Sequence, residues 1–298
     1  MSATAISKLA MPNGGYAMLA LDQRESLRQM MSTGQNREIS SSEIVDFKVS
    51  VLDTFSKLPS AVLLDTDFGI EAYEKSNLAP VPIILAADLL HHAPDGKLTA
   101  TSLRSDEFKK AVEQIQPQAL KFLLLWSENE SAAQRLDLAG SFVNFCKTYD
   151  LPSVLESIVR AKGAATWSDP LAAADAMVVA AEELSSLQAD LFKCEVPGHG
   201  KFDLKKTIEY SREITAAIDG PWVVLSNGVT AADFPHAVDA ACKGGASGFL
   251  AGRAIWADAL SEKNVINFLR NESINRFKVV QDIVSDEMAQ RGAQEASA

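Results

Sequence analysis

Eight short apolar runs recur along the chain, each ending in polar residues: YAMLALDQ (16–23), AVLLDTDFG (61–69), PIILAADLL (82–90), ALKFLLLW (119–126), PSVLESIV (152–159), DLFKCEVP (190–197), WVVLSNGV (222–229) and GFLAGRAIW (248–256). Between them lie segments whose apolar residues return every three to four positions, at 41–58, 105–115, 131–149, 169–187, 203–218 and 231–244, the spacing of a helix with one buried face. Ser105 and Asp169 are placed to cap helix starts, and Gly220 and Gly244 stand just past helix ends. Strand alternating with helix requires parallel pairing, and strands that are apolar at nearly every position are covered on both faces. Eight such units in 298 residues favour a closed (β/α)8 TIM barrel over an open doubly wound sheet. No linker interrupts the series, so a single domain over 1–298 is expected. A helical stretch at about 272–288 has no strand after it and is expected to pack under the barrel or to mediate a dimer. The small polar tail AQRGAQEASA (289–298) is expected to fray.

Composition narrows the partners. Lys and Arg number 28 against 39 Asp and Glu, a formal net charge of −11, and no basic stripe counters that field, so nucleic acid is not an expected partner. Three widely spaced cysteines, Cys146, Cys194 and Cys242, fit neither a disulfide framework nor a zinc cluster. The first residues lack the layout of a signal peptide, and no run approaches the ~18 apolar residues of a spanning helix. A cytoplasmic enzyme with no membrane partner is the expectation.

Barrel enzymes carry their chemistry at the C-terminal ends of the strands. Taken in order, the polar residues there are Asp22, Gln23 and Arg24; Asp65 and Asp67; Asp88; Lys121; Glu156; Lys193 and Glu195; Ser226 and Asn227; and Arg253. Lys193 is a hydrated cation inside an apolar run, between Phe192 and Cys194. One such lysine can be a structural charge paired with a carboxylate. The alternative is covalent catalysis, because a desolvated lysine beside a second cation favours the free amine that attacks a ketone. Lys121, two strands away, can supply that cation, and Glu156 on the strand between can carry the protons. A second signal is anion binding. LSNGV (225–229) and GGASGFLAGRAIW (244–256) put Ser226, Gly228, Gly252 and Arg253 at the last two strand ends, where barrels often hold a phosphate. The tandem His91 and His92, with His199, raise a metal-dependent lyase or epimerase as a rival from another class. Neighbours on a strand point to opposite sides, so at most one of the pair faces the mouth. A non-catalytic sugar-phosphate-binding barrel is the other rival. Cys194, Trp126 and Trp256 read as packing residues, and Lys48 in DFKVSV as a solvated or snorkelling charge on a helix.

GGYAMLALDQRES (14–26), DFKVSVL (46–52), ALKFLLLW, ADLFKCEVP (189–197), PWVVLSNGV (221–229) and GGASGFLAGRAIW together resemble the class I 6-deoxy-6-sulfofructose-1-phosphate aldolases. Those enzymes are related to the class I tagatose 1,6-bisphosphate aldolases. The similarity runs from about residue 14 to residue 290. It implies Lys193 as the Schiff-base lysine, Glu156 as the acid/base, Lys121 as the lysine of the fourth strand, and Asp22 as a catalytic aspartate with Gln23 and Arg24 beside it. The expected substrate is a phosphorylated sugar bound by Gln23, Arg24, Ser226, Asn227, Gly228, Gly252 and Arg253, and a homo-oligomer with no cofactor or metal is expected. Three segments depart from the family pattern, at 65–76, 88–98 and 160–169. They shape the far end of the pocket, so the resemblance carries the reaction type further than the substrate.

Overall fold

A strand that is apolar throughout needs cover on both faces, and a closed barrel wrapped in helices supplies it. The structure, a computed structural model, describes residues 5–93, 96–104, 108–162 and 166–295. Its elements in chain order are β1 (Tyr16–Leu21), α1 (Glu25–Gln35), α2 (Ser41–Phe55), β2 (Ala61–Leu64), α3 (Gly69–Lys75), β3 (Ile83–Ala86), β4 (Asp88–His92), β5 (Leu98–Leu103), α4 (Phe108–Ile115), β6 (Ala119–Trp126) and α5 (Ala132–Thr148). There follow β7 (Ser153–Val159), α6 (Pro170–Ser185), β8 (Leu191–Glu195), α7 (Leu204–Ala217), β9 (Trp222–Leu225), α8 (Phe234–Lys243), β10 (Gly248–Ala251), α9 (Arg253–Trp256), α10 (Val265–Phe268) and α11 (Ile274–Glu295). Eight strands close in the order β1-β10-β9-β8-β7-β6-β3-β2, all parallel. The expected (β/α)8 barrel is the fold.

Alternation sorts each strand into two sets. Tyr16, Met18, Ala20, Ala61, Leu63, Ile84, Ala86, Ala119, Val154, Leu191, Val223 and Leu250 meet inside the barrel, where Ile6 and Leu9 also pack. The intervening residues, such as Leu19, Val62, Phe122, Leu155, Phe192, Cys194 and Phe249, pack under the helices. Lys121 follows Ala119 by two, Glu156 follows Val154 by two, and Lys193 follows Leu191 by two, so all three take the inward side. Cys194, Trp126 and Trp256 are buried among apolar neighbours as expected.

The structure corrects several expectations. The third apolar run is two strands: β3 belongs to the barrel, while β4 turns away and pairs antiparallel with β5. Asp88–His92 and Leu98 thus belong to this hairpin and not to a continuation of the barrel strand. Helices α1 and α3 were not expected: α3 has only seven residues, whereas Leu27 and Met31 give α1 a buried face that went unread. The C-terminal helix extends well past residue 288, into the tail expected to fray. Phe277, Val280 and Val284 are buried, and Arg291 donates to the carbonyls of Cys242 and Ala246 at the end of α8. These contacts supply tertiary support that the polar sequence did not advertise. Asp169 caps α6 through the N–H of Leu171 at 2.9 Å. Ser105 lies outside the described residues.

Lys48 is the largest correction. It is wholly buried, donating to the Leu21 carbonyl at 2.7 Å and pairing with Asp65. Asp65 uses its other oxygen for the N–H groups of Asp67 and Phe68, at 2.9 and 2.7 Å. Far from being solvated, Lys48 ties the ends of β1 and β2 together beneath α2. Among the described residues no helix is long and apolar enough to cross a membrane.

Candidate active site

The inward parity of β6, β7 and β8 builds the floor of the mouth. Glu156 lies level with Lys193 on the neighbouring strand, and its Oε2 is 3.0 Å from Lys193 Nζ and 2.7 Å from Lys121 Nζ. Lys121 also reaches Asp22 Oδ2 at 3.0 Å and Asp88 Oδ2 at 3.1 Å. Burial works against charge on Lys121, but Asp22, Asp88 and Glu156 outweigh it and hold the ammonium well above the usual lysine range. Burial also opposes the charge on Asp22. Lys121 and Lys193 overcome it and keep that carboxyl well below the usual carboxylate range. Lys193, by contrast, has Glu156 as its one carboxylate within ion-pair distance among the described residues.

Asp22, Lys121, Glu156 and Lys193 line a cavity of about 250 Å³ at the strand ends. Its other walls come from Gln23 after β1, the hairpin residues Leu90, His92 and Leu98, Arg160 after β7, and Ser226, Asn227, Gly252 and Arg253 after β9 and β10. Gln23 lines the cavity, and its Oε1 is buried with no hydrogen-bond partner among the described residues. Gly252 is there for close approach: an added Cβ would collide with the Ala20 carbonyl and the Trp256 indole nitrogen. Arg253 donates to Asn227 Oδ1 at 2.6 Å, and Ser226 Oγ accepts from the N–H of Ala254 at 3.4 Å.

The DeoC/LacD family aldolase pattern matches residues 16–258, which takes in every barrel strand and the whole lysine cluster. The chain belongs to the DeoC/LacD aldolase family. This aldolase is 27% identical over 279 residues to tagatose 1,6-diphosphate aldolase 2 of Streptococcus pyogenes serotype M1, covering 83% of this chain and 82% of that one. It is 25% identical over 278 residues to the tagatose 1,6-diphosphate aldolase of Staphylococcus aureus strain JH9, covering 86% and 84%. Among solved structures, the fructose-bisphosphate aldolase from Plasmodium falciparum superposes with a TM-score of 0.72 at 13% identity, over 96% of this chain and 94% of that one. A Schiff base-forming fructose-1,6-bisphosphate aldolase gives 0.62 at 16% identity, over 95% and 99%. Those two share its barrel.

Most of the residues expected at the site of the aldolase converge: Lys193, Glu156, Lys121, Asp22, Gln23, Ser226, Asn227, Gly252 and Arg253 all line the one cavity. Arg24 and Gly228 do not. Arg24 is turned behind the wall, donating to Asp88 Oδ1 at 2.8 Å and to its carbonyl at 2.9 Å, with Asp67 at 3.4 Å. Gly228 sits in a left-handed turn with φ +76° packed on His199, so its glycine serves the turn. Asp88 and Glu195 were named as strand-end residues without a role, and Arg160 was passed over. Asp88 is buried and takes hydrogen bonds from Arg24, Lys121 and the Leu123 N–H; its place at the end of an apolar run was the available signal. Arg160 follows the fifth run directly, and that position could have flagged it. Glu195 shares the parity of Lys193, yet nothing in the sequence says what it meets. Of the tandem histidines, His92 lines the cavity, while His91 bonds Ser102 Oγ at 2.8 Å. No three His, Cys, Asp or Glu side chains among the described residues group as a metal site.

Proposed function

We propose that this aldolase works through a Schiff base on Lys193 and reversibly cleaves a ketose 1-phosphate between C3 and C4. The observation that carries this reading is the sharing of Glu156 Oε2 by the two lysine amines, at 3.0 and 2.7 Å, on the floor of a cavity. Lys121, held protonated by three carboxylates, is the fixed cation. Lys193 can pass a proton to Glu156 and attack C2 as the free amine. The carbinolamine loses water, with Glu156 returning the proton to the departing hydroxyl, and leaves an iminium. Glu156 then takes the C4 hydroxyl proton, the C3–C4 bond breaks, and its electron pair flows into the iminium as an enamine. Protonation at C3 and hydrolysis release dihydroxyacetone phosphate and restore the amine. Ser226, Asn227, Gly252 and Arg253 are the groups for the C1 phosphate, a charge-assisted guanidinium contact among them.

For the substrate we favour 6-deoxy-6-sulfofructose 1-phosphate, giving 3-sulfolactaldehyde as the aldehyde, supported by the strand-end motifs LALDQRES, FKCEVP, LSNGV and LAGRAIW. Tagatose 1,6-bisphosphate is the second reading, favoured by relatives named for that substrate at 25–27% identity. A substrate panel separates them: sulfofructose 1-phosphate, tagatose and fructose 1,6-bisphosphate, and unphosphorylated sulfofructose, compared by kcat/KM. The highest value on tagatose 1,6-bisphosphate would replace the first reading with the second. Borohydride with dihydroxyacetone phosphate should add one stable mass, on Lys193. An adduct on any other residue would remove the assigned nucleophile.

A further inference from the structure

Glu195 takes no part in those steps, yet it is wholly buried two residues beyond Lys193. Its Oε2 accepts the Val159 N–H at 2.9 Å. Its Oε1 accepts Asn227 Nδ2 at 2.6 Å, faces His199 Nε2 at 3.2 Å and stands 3.7 Å from Arg160 Nη1. Every neighbour is a donor or can be one, so the pocket suits a carboxylate, which accepts at both oxygens and donates at neither. The consequence passes through Asn227. With its amide nitrogen held by Glu195, its oxygen must face the other way, and that oxygen takes Arg253 Nη2 at 2.6 Å. A flipped amide would set N–H groups against a guanidinium that can only donate. One carboxylate thus orients the amide that holds Arg253 and draws in Arg160, and both guanidinium groups line the cavity.

We propose that Glu195 is a positioning residue for the anionic end of the substrate: by fixing Asn227 and attracting Arg160, it aims Arg253 and Arg160 into the cavity as an anion-binding pair. The proposal rests on the reading above in which Arg253 binds the phosphate. Its probe is dihydroxyacetone phosphate, common to every phosphorylated ketose in the panel. Borohydride inactivation is followed against its concentration, which yields a half-saturating concentration and a limiting rate separately. Glu195→Gln keeps size but places an N–H₂ among donors. It should raise the half-saturating concentration roughly tenfold or more, the scale of a lost hydrogen bond to a charged group. The limiting rate and the adduct on Lys193 should persist. In an Arg253→Ala background the same substitution should lose most of its effect, because the two act through one contact. Glu195→Asp, which keeps the charge but draws it back from Asn227, should raise the half-saturating concentration in the same direction and serves if Glu195→Gln does not fold.

Equal factors in both backgrounds, or a fall in limiting rate at unchanged half-saturation, would make Glu195 a brace for the strand ends and overturn the proposal. Arg253→Ala with unaltered half-saturation would instead overturn the phosphate assignment and the proposal with it. A wild-type enzyme that borohydride and dihydroxyacetone phosphate leave active would overturn the Schiff-base reading itself.

Discussion

Two lysines of this protein are buried against carboxylates, and they have opposite surroundings. Lys48 donates to a carbonyl and to Asp65, and Asp65 spends its other oxygen on two backbone N–H groups. Each charge is matched and no face is left for a ligand. Lys193 shares one oxygen of Glu156 with Lys121, and both lysines open on the cavity. Satisfaction makes the first pair a tie between β1 and β2. A spare face, and a carboxylate that serves two amines, make the second a place for chemistry. Burial of a lysine therefore says little about function until its partners are known.

Substitutions should separate the pairs by which quantity they move. Lys193→Met should abolish turnover and borohydride trapping while leaving thermal unfolding close to wild type. A Lys193→Met protein that still cleaves substrate would erase the distinction. Glu156→Gln keeps the shape but removes proton exchange. It should lower kcat by ~10²–10⁴-fold, the worth of a general acid–base, with little change in KM. Near-normal kcat would pass the role to another carboxylate, with Asp22 first in line. Lys48→Met should act on the other quantity. Leaving Asp65 buried without its cation should cost about 3–5 kcal/mol of stability in denaturant unfolding, with kcat per folded molecule near wild type. An unaltered midpoint would mean that the Lys48 pair is as expendable as a surface one.

A smaller effect concerns acid. Lys121 and Lys193, against burial, hold Asp22 well below the usual carboxylate range. A depressed folded value gives stability that is present above the unfolded value of about 4 and is lost as pH falls below it. Asp22→Asn should flatten that acid limb of the stability curve. The same slope in both proteins would show that Asp22 does not carry it. Smallest of all, a chelator should leave turnover unchanged, since the iminium is the electron sink in the proposed reaction. Loss of activity that a divalent ion restores would return the metal-dependent rival, with His92 in the cavity as its first ligand to test.

How far the sequence could be read depended on which contacts set each feature. The strands of the barrel were legible because apolar runs and period-2 alternation are local. So was the inward side of Lys121, Glu156 and Lys193, by the same rule. Lys48 was legible in principle and misread. Ile44, Val51 and Phe55 lie on the same helical face as Lys48 and are buried with it, so the lysine interrupts an apolar stripe. A solvated lysine would sit on the opposite face. The hairpin of β4 and β5 was not legible. Its pairing is antiparallel and off the barrel, and DLL at 88–90 reads as a continuation of the apolar run of β3.

Alternating hydrophobicity, the glycines at turns and the residue types at strand ends determined the barrel and named the candidate groups, because each depends on neighbours within a few residues. Only closure of the barrel brought Asp22, just past β1, to 3.0 Å from Lys121 on β6, 99 residues away. Only the packing of strand ends gave Glu195 its four neighbours and turned Arg24 and Gly228 away from the cavity. Those distances follow from strand register, stagger and the paths of the loops. Such quantities are fixed jointly by segments far apart in the chain, and no single stretch of sequence contains them.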